Sequence, residues 1–287
     1  MAHLRFLDID SDYDQSKYVI IPAPMDIGSS WGVGSRFGPF AIMEASRYMD
    51  LYDMDLDLTL DSIYTMDEIE PTIEMVKNLS LVENTVSEVL SHDKVPVLIG
   101  GDHSISIASA KASFSHGAHI YITMDAHADL YDEYNGSKLS HACVTRRILD
   151  LPIKKAILIG VRTMGLEEMN IARKDSRIAI VREPNDLEIL DSLKGEKAHL
   201  SFDVDVMDPS IIPCVGYPEP GGISYRDAIV LLRAIFEKID VISMDFVEFS
   251  PCQGRKDDAF TVAKLIYKSI LMHYMSHNFT NACNNTQ

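Results

Sequence analysis

Asp125, His127 and Asp129 occupy alternate positions in the stretch "MDAHADL". The preceding "AHIYIT" is apolar and β-branched enough to form a buried strand. Three more apolar runs end in the same kind of residue: "VPVLIGGDHS" in Asp102 and His103, "AHLSFDVDVMDP" in Asp203, Asp205 and Asp208, and "VISMDFVEFSP" in Asp245 and Glu248. Along extended backbone, side chains two apart point the same way. On that geometry Asp125, His127 and Asp129 share one side, as do Asp203 and Asp205. With His103 they bring four carboxylates and two imidazoles toward one point. Bare carboxylates so close repel one another and are costly to bury. Divalent cations remove that cost. This many ligands suits two ions with bridging carboxylates, and a carboxylate-rich set with little imidazole favours Mn²⁺ or a similarly hard ion. Ions about 3.5–4 Å apart share a water and lower its pKa, making a nucleophile near neutral pH.

Other polar residues have plainer explanations. Asp102, Asp208 and Asp245 are each expected to cap a helix or brace a turn. His3, His92, His116, His119, His199, His273 and His277 are read as ordinary surface or hydrogen-bonded histidines.

To converge, these groups need a scaffold that lines up strand ends. Apolar runs begin at Tyr18, Val95, His119, Lys155, Ile178, Ala198 and Asp240. Helical stretches are expected at 39–51, 71–92, 104–115, 140–149, 224–238 and 258–274, with Ser224 as an N-cap. Strand–helix alternation with continuously apolar strands predicts a mostly parallel sheet covered on both faces, a three-layer α/β/α arrangement. Ligands in such sheets sit at the carboxyl ends of the strands. No linker or repeat divides the chain. One domain over 1–287 is expected, with flexible ends at 1–15 and 276–287.

The 287 residues are enough for a large core. They carry a formal net charge of −17, with 46% hydrophobic and 24% charged residues. So acidic a surface repels phosphate backbones and disfavours nucleic acid as a partner, while it suits a cationic ligand. The cysteines (Cys143, Cys214, Cys252, Cys283) show no C-x-x-C spacing and no disulfide framework. The N-terminal stretch lacks a basic segment followed by an apolar one, and no run is long enough to span a bilayer. A reduced, cytoplasmic protein with no membrane partner is the expectation.

"GGDHS", "DAHAD", "SFDVDVMDPS" and "FVEFSP" resemble, in order, the motif blocks of the ureohydrolases, the arginase and agmatinase family. "SSWGVGSRFGPFAIMEAS" resembles that family's Gly-rich segment, with Met43 or Glu44 where the family has Arg. The resemblance runs from about Ile20 to Pro251. It implies a three-layer α/β/α fold and two Mn²⁺ ions per subunit. His103, Asp125, Asp129 and Asp203 would hold one ion and Asp125, His127, Asp203 and Asp205 the other, with Asp125 and Asp203 bridging. It further implies that His141, in "NGSKLSHAC", shuttles a proton, that Glu248 pairs with the substrate guanidinium, and that Asp205 helps stabilise the tetrahedral intermediate. The products would be urea and an amine.

The substrate's tail is read from two departures. Arginases follow the D-x-H-x-D block with Asn and small hydroxyl residues; here Asp132 and Glu133 stand in the loop and would repel an α-carboxylate. Arginases tend to place Asp after "G-L-R"; here Thr163 resembles agmatinases. Both favour a decarboxylated substrate, and agmatine is the first expectation. Against it, Tyr217 replaces Thr in the family's "T-G-T-P" and would reshape the pocket. The same loop also looks like that of plant-type arginases, which keeps arginine open beside guanidinobutyrate and formimino compounds. Outside hydrolysis of guanidines, the alternatives are an inactive binding relative and a phosphoesterase, which would need Arg146, Arg147 or Arg162 at the site. The resemblance implies a homotrimer or homohexamer.

Overall fold

Every strand of the central sheet runs parallel to its neighbours. The computed structural model describes residues 4–182 and 187–284, with side chains described through Asn278. The strands are β1 (Tyr18–Ala23), β2 (Ile63–Thr65), β3 (Val95–Gly100), β4 (Ile120–Met124), β5 (Lys155–Ile159), β6 (Ile178–Val181), β7 (Lys197–Asp203) and β8 (Asp240–Val247). Their order in the sheet is β2-β1-β3-β8-β7-β4-β5-β6. The helices are α1 (Gly38–Ser46), α2 (Met75–Ser91), α3 (Ser106–Ser115), α4 (Val144–Ile148), α5 (Leu166–Lys174), α6 (Glu188–Asp191), α7 (Tyr225–Lys238) and α8 (Asp257–Asn284).

The strands read as uninterrupted apolar runs because both faces are covered. Ile20, Val97, Ile99 and Ile122 pack toward α1, α7 and α8. Val19, Ile21 and Leu98 turn the other way onto α2 and α3. Tyr121, Ala156 and Leu158 meet α3 and α4. The three-layer α/β/α expectation therefore holds. Ser224 caps α7, accepting from the Asp227 N–H (3.2 Å), while Asp227 accepts from the Ser224 N–H (3.0 Å).

β3, β8, β7 and β4 are consecutive in the sheet, and they are the four strands whose ends carry the acids and histidines. The chain leaves β3 through α3 and returns as β4 on the far side of β8 and β7. That reversal opens the crevice in which such sheets bind ligands.

Several expectations are corrected. Of the segment before Ser16, residues 1–3 lie outside the described residues and the rest is docked: Phe6 and Leu7 are buried, and their N–H groups donate to Thr65 Oγ1 (3.1 Å) and Ser46 Oγ (2.8 Å). The polar run from Ser276 continues α8 as far as Asn284; residues 285–287 lie outside the described residues. β2 and α5 went unread, one because it is a three-residue edge strand, the other because its charged sequence buries only Glu168. Cys214 and Cys252 form a disulfide. Their 38-residue separation hides the pairing, which arises only because the loop after β7 lies beside the segment after β8. No helix among the described residues is long and apolar enough to cross a membrane.

On α8, His273 accepts from the Tyr18 hydroxyl at Nδ1 (2.8 Å) and donates from Nε2 to the Val241 carbonyl (2.8 Å). Burial, aided by His277, pushes its pKa down to about 3. Unfolded, it takes a proton near ~6.5. The unfolded chain thus binds more protons as pH falls below that value, and stability declines until the folded pKa is reached. The slope from this one group is at most about 1.4 kcal/mol per pH unit. Urea-denaturation midpoints should fall between about pH 6.5 and 4, and fall less steeply in His273→Asn. Equal slopes would remove this histidine from the account.

Candidate metal centre

The backbone turns irregular where the ligands sit. Gly100 and Gly101 end β3, and a Cβ on Gly101 would lie 1.8 Å from the Met25 carbonyl oxygen, so only glycine passes. His103 then opens a short 3-10 turn capped by Asp102, which accepts from the Ser104 N–H (2.9 Å) and also from the Gly28 N–H (2.6 Å). Asp125 is the first residue past β4, and Asp129 lies in the left-handed region at φ 52°. Asp203 is the last residue of β7 and Asp205 sits in the turn after it.

Three carboxylates are pinned in the same way. Asp125 Oδ1 accepts from the His127 N–H (2.6 Å), Asp203 Oδ1 from the Asp205 N–H (2.9 Å) and Asp205 Oδ1 from the Ala126 N–H (3.0 Å). Each turns its other oxygen toward an imidazole. His103 Nδ1 lies 3.2 Å from Asp125 Oδ2, 2.9 Å from Asp129 Oδ2 and 3.2 Å from Asp203 Oδ2. His127 Nδ1 lies 2.9 Å from Asp205 Oδ2. His103, Asp125 and Asp129 form one group with donor atoms within 4.8 Å of one another, and Asp125, His127 and Asp205 form another. Asp125 belongs to both.

This donor set fits hard divalent ions. His103 Nδ1 and Asp125 Oδ2 are buried and lack a hydrogen-bond partner, the mark of atoms aimed at something other than a protein donor. Burial pushes the Asp203 carboxyl well above its usual range, reinforced by Asp205 and Asp125. Burial and Asp125 raise Asp129 to about 6. His103 goes the other way: burial would lower its pKa, but Tyr121 and the facing carboxylates of Asp125, Asp129 and Asp203 hold it well above the ordinary value.

Behind the cage, His103 Nε2 lies 3.1 Å from Ser201 Oγ, and that hydroxyl donates to Asp245 Oδ1 (2.6 Å). His199 Nε2 meets Asp245 Oδ2 at 2.8 Å. The chain of bonds directs the His103 Nε2–H away from the cage and turns Nδ1 inward, as outer partners of metal-binding histidines do. Asp245, expected to brace a turn, instead anchors this network. Asp102 and Asp208 do serve as cap and turn residues.

Glu248 follows β8 in the left-handed region (φ 65°). Its N–H donates to the Gly101 carbonyl (2.7 Å), and Oε1 accepts from the His103 N–H (2.8 Å). His141 Nδ1 lies 3.7 Å away from that oxygen.

A sequence model of the arginase family matches residues 16–272, nearly the whole described chain. The chain belongs to the arginase family. It is 35% identical over 280 residues to an N(1)-aminopropylagmatine ureohydrolase of Thermus thermophilus, covering 93% of this chain and 94% of that protein. It is 31% identical to an agmatinase of Pyrococcus horikoshii, covering 91% and 93%. The crystal structure of an agmatine ureohydrolase of Thermoplasma volcanium superimposes with a TM-score of 0.85 at 27% identity, covering 97% of each chain.

In this arginase-family pocket, His103, His127, Asp129, Asp203 and Asp205 share a lining with His141, Thr163, Tyr217 and Glu248. Asp125 lies beneath them. Ser30, Tyr131, Tyr134 and Glu168 complete the wall, and none was singled out from the sequence. Glu168 is buried, accepting from the Gly165 N–H (2.7 Å) and the Leu130 N–H (2.9 Å). Asp132 is not in the lining: it pairs with Arg147 (2.6 Å) and Lys138 (3.1 Å). Arg162 is tied to the carbonyls of Asp205 (2.8 Å) and Glu219 (2.8 Å), and neither it, Arg146 nor Arg147 lines the pocket. Among the described residues no Lys or Arg lines the pocket, where the phosphoesterase alternative would need one.

Proposed function

We propose that this chain hydrolyses agmatine to urea and putrescine at two divalent ions, natively Mn²⁺, held by His103, Asp125, His127, Asp129, Asp203 and Asp205. The observation that carries the choice of substrate is the pocket wall. It presents Glu168 and Glu248 and, among the described residues, no Lys or Arg. A dication is welcome there, and an α-carboxylate meets no partner. When bound, the ion pair supplies Lewis-acid activation of the attacking water near neutral pH. Glu248 takes the planar guanidinium through parallel charge-assisted hydrogen bonds. Asp205 faces the same space and accepts from the substrate nitrogen as the carbon becomes tetrahedral. Thr163 and Tyr217 flank the substrate's chain, and Glu168 faces its distal ammonium. Burial works against a proton on His141, but Glu248, Asp129 and Asp102 raise its pKa above the ordinary value. It can therefore hold a proton at neutral pH and pass it to the leaving amine.

A longer cation is the second reading. Exposed Glu133 and Glu167 adjoin the lining residues Tyr134 and Glu168 and offer a further ammonium acceptor, as an aminopropylagmatine would need. The deciding measurement is urea release by Mn²⁺-loaded protein from agmatine, N(1)-aminopropylagmatine and arginine, with a chelator control. Either amine should exceed arginine by about a hundredfold or more in kcat/KM, since an unpaired buried charge costs several kcal/mol, and chelation should abolish turnover. Preference for arginine overturns the reading of the wall; a metal-loaded protein inert to every guanidine leaves the inactive relative.

The same proposal includes a cytoplasmic homotrimer or homohexamer. Phe37, Phe40, Tyr48, Tyr52 and Met54 are all exposed, apolar surface of the kind that subunit contacts cover.

A further inference from the structure

Tyr217 departs from the family's usual threonine, and the structure gives it a partner. Two glycine-bearing loops touch above the cage. A Cβ on Gly32 would lie 2.5 Å from the Gly216 carbonyl oxygen, so the backbones meet because position 32 is glycine; a Cβ on Gly216 would lie 3.1 Å from the Gly32 carbonyl oxygen. This approach sets Ser30 Oγ 2.8 Å from Tyr217 Oη and 2.8 Å from His141 Nε2. The opposite ring nitrogen, Nδ1, faces Glu248 Oε1.

Both loops are fastened independently of the contact. Asp102 accepts from the Gly28 N–H (2.6 Å), and the His141 N–H donates to the Gly28 carbonyl (3.3 Å). On the other side, the Ser250 N–H donates to the Cys214 carbonyl (3.0 Å), Val215 bridges to Phe249, and Cys214 is bonded to Cys252. Tyr217 stacks at a tilt beside Trp31, which is 67% exposed, with ring centroids 5.3 Å apart. A row of exchangeable protons thus runs from Tyr217, in the pocket lining, through Ser30 to the face of His141 turned away from Glu248.

We propose that Ser30 and Tyr217 are positioning residues for His141, forming a relay that holds its ring and renews its proton. The inference rests on the guanidine-hydrolase reading. His141 Nδ1–H is given to the leaving nitrogen beside Glu248. The ring is then neutral with its proton on Nε2, and that proton shifts to Nδ1 in a change of tautomer. The freed Nε2 takes the Ser30 proton, Ser30 Oγ takes that of Tyr217, and Tyr217 takes one from solvent, which restores the imidazolium. At each step one O–H or N–H bond breaks as one forms. The proton drawn from solvent replaces the one that the attacking water gives up in the same turnover.

The test uses the full-length, Mn²⁺-loaded protein with agmatine and with N(1)-aminopropylagmatine in weak buffer. Tyr217→Phe and Ser30→Ala should each lower kcat by about tenfold or more, the lower end of what positioned proton transfer contributes, with KM within about twofold. Added imidazole should restore much of the loss. Ser30→Thr, which keeps the hydroxyl, should stay near wild type. In the metal-free protein, ¹⁵N shifts of the His141 ring should report a changed tautomer balance in Ser30→Ala. Raised KM with unchanged kcat would confine Tyr217 to its place in the pocket wall and overturn the relay; so would a kcat loss that imidazole leaves untouched. Wild-type protein inert to every guanidine is a different result, and it removes the functional reading itself.

Discussion

Asp125→Asn is expected to lower kcat/KM by at least about a thousandfold, because Lewis-acid stabilisation is worth several kcal/mol and ~4 kcal/mol is about three decades of rate. Asp125 is the residue common to both ligand groups. Its Oδ1 is already committed to the His127 N–H at 2.6 Å, and its Oδ2 has no hydrogen-bond partner. Asparagine can keep the first contact. At the second position it offers either an amide nitrogen, which cannot ligate, or a neutral oxygen, which ligates a hard cation weakly. The loss should therefore appear in metal content, measured by atomic emission, and in the rise of Tm on adding Mn²⁺. Ligand binding stabilises by RT ln(1 + [L]/Kd), so a thousandfold weaker Kd removes up to about 4 kcal/mol of that effect. Full metal content with lost activity would place the role of Asp125 elsewhere than in the cage.

The alternation of Asp125, His127 and Asp129 pointed to side chains that the structure does bring together, through geometry the protein does not use. Asp125 is already beyond β4, and Asp129 is in the left-handed region. What gathers the cage is a pair of loops, after β4 and after β7, whose N–H groups clamp one oxygen each of Asp125, Asp203 and Asp205. Residue chemistry at strand ends was legible because an acid after an apolar run has few structural uses. The supporting network was not. Ser201 meets Asp245 because β7 and β8 are neighbours in register, Ser201 opposite Asp245, and no local pattern announces a long-range strand pairing. Asp132 failed for the converse reason. Its place in the chain suggested the pocket, but Arg147 on α4 draws it outward. Glu168 was hidden in a charged helix with little apolar periodicity, and Ser30 in a glycine-rich turn whose partner lies 187 residues away. The parallel sheet itself was readable, since burial on both faces leaves continuous apolar runs that half-exposed strands lack.

Glu248→Gln should separate substrate recognition from metal binding. The chain holds Glu248 in a conformation that costs an L-residue roughly 1–2 kcal/mol, and it braces that conformation with the Gly101 carbonyl on its N–H. The Oε1 contact with the His103 N–H (2.8 Å) needs only an acceptor, which glutamine retains. His103 and the cage should stay in place, so metal content and the Mn²⁺-induced rise in Tm should match wild type. The guanidinium, however, loses its counter-charge in a buried site. Breaking a buried ion pair by removing one partner costs about 3–5 kcal/mol, so kcat/KM for agmatine should fall by roughly 10²–10⁴. Much of the loss should sit in kcat, because a guanidinium no longer fixed on Glu248 is also misplaced against the attacking water. His141 supplies an internal check: Glu248 is one cause of its raised pKa, so the basic limb of the pH–rate profile, where His141 loses its proton, should move to lower pH in the variant. Parallel loss of metal would instead make Glu248 a support of the cage, and unchanged kcat/KM would remove it from the substrate site.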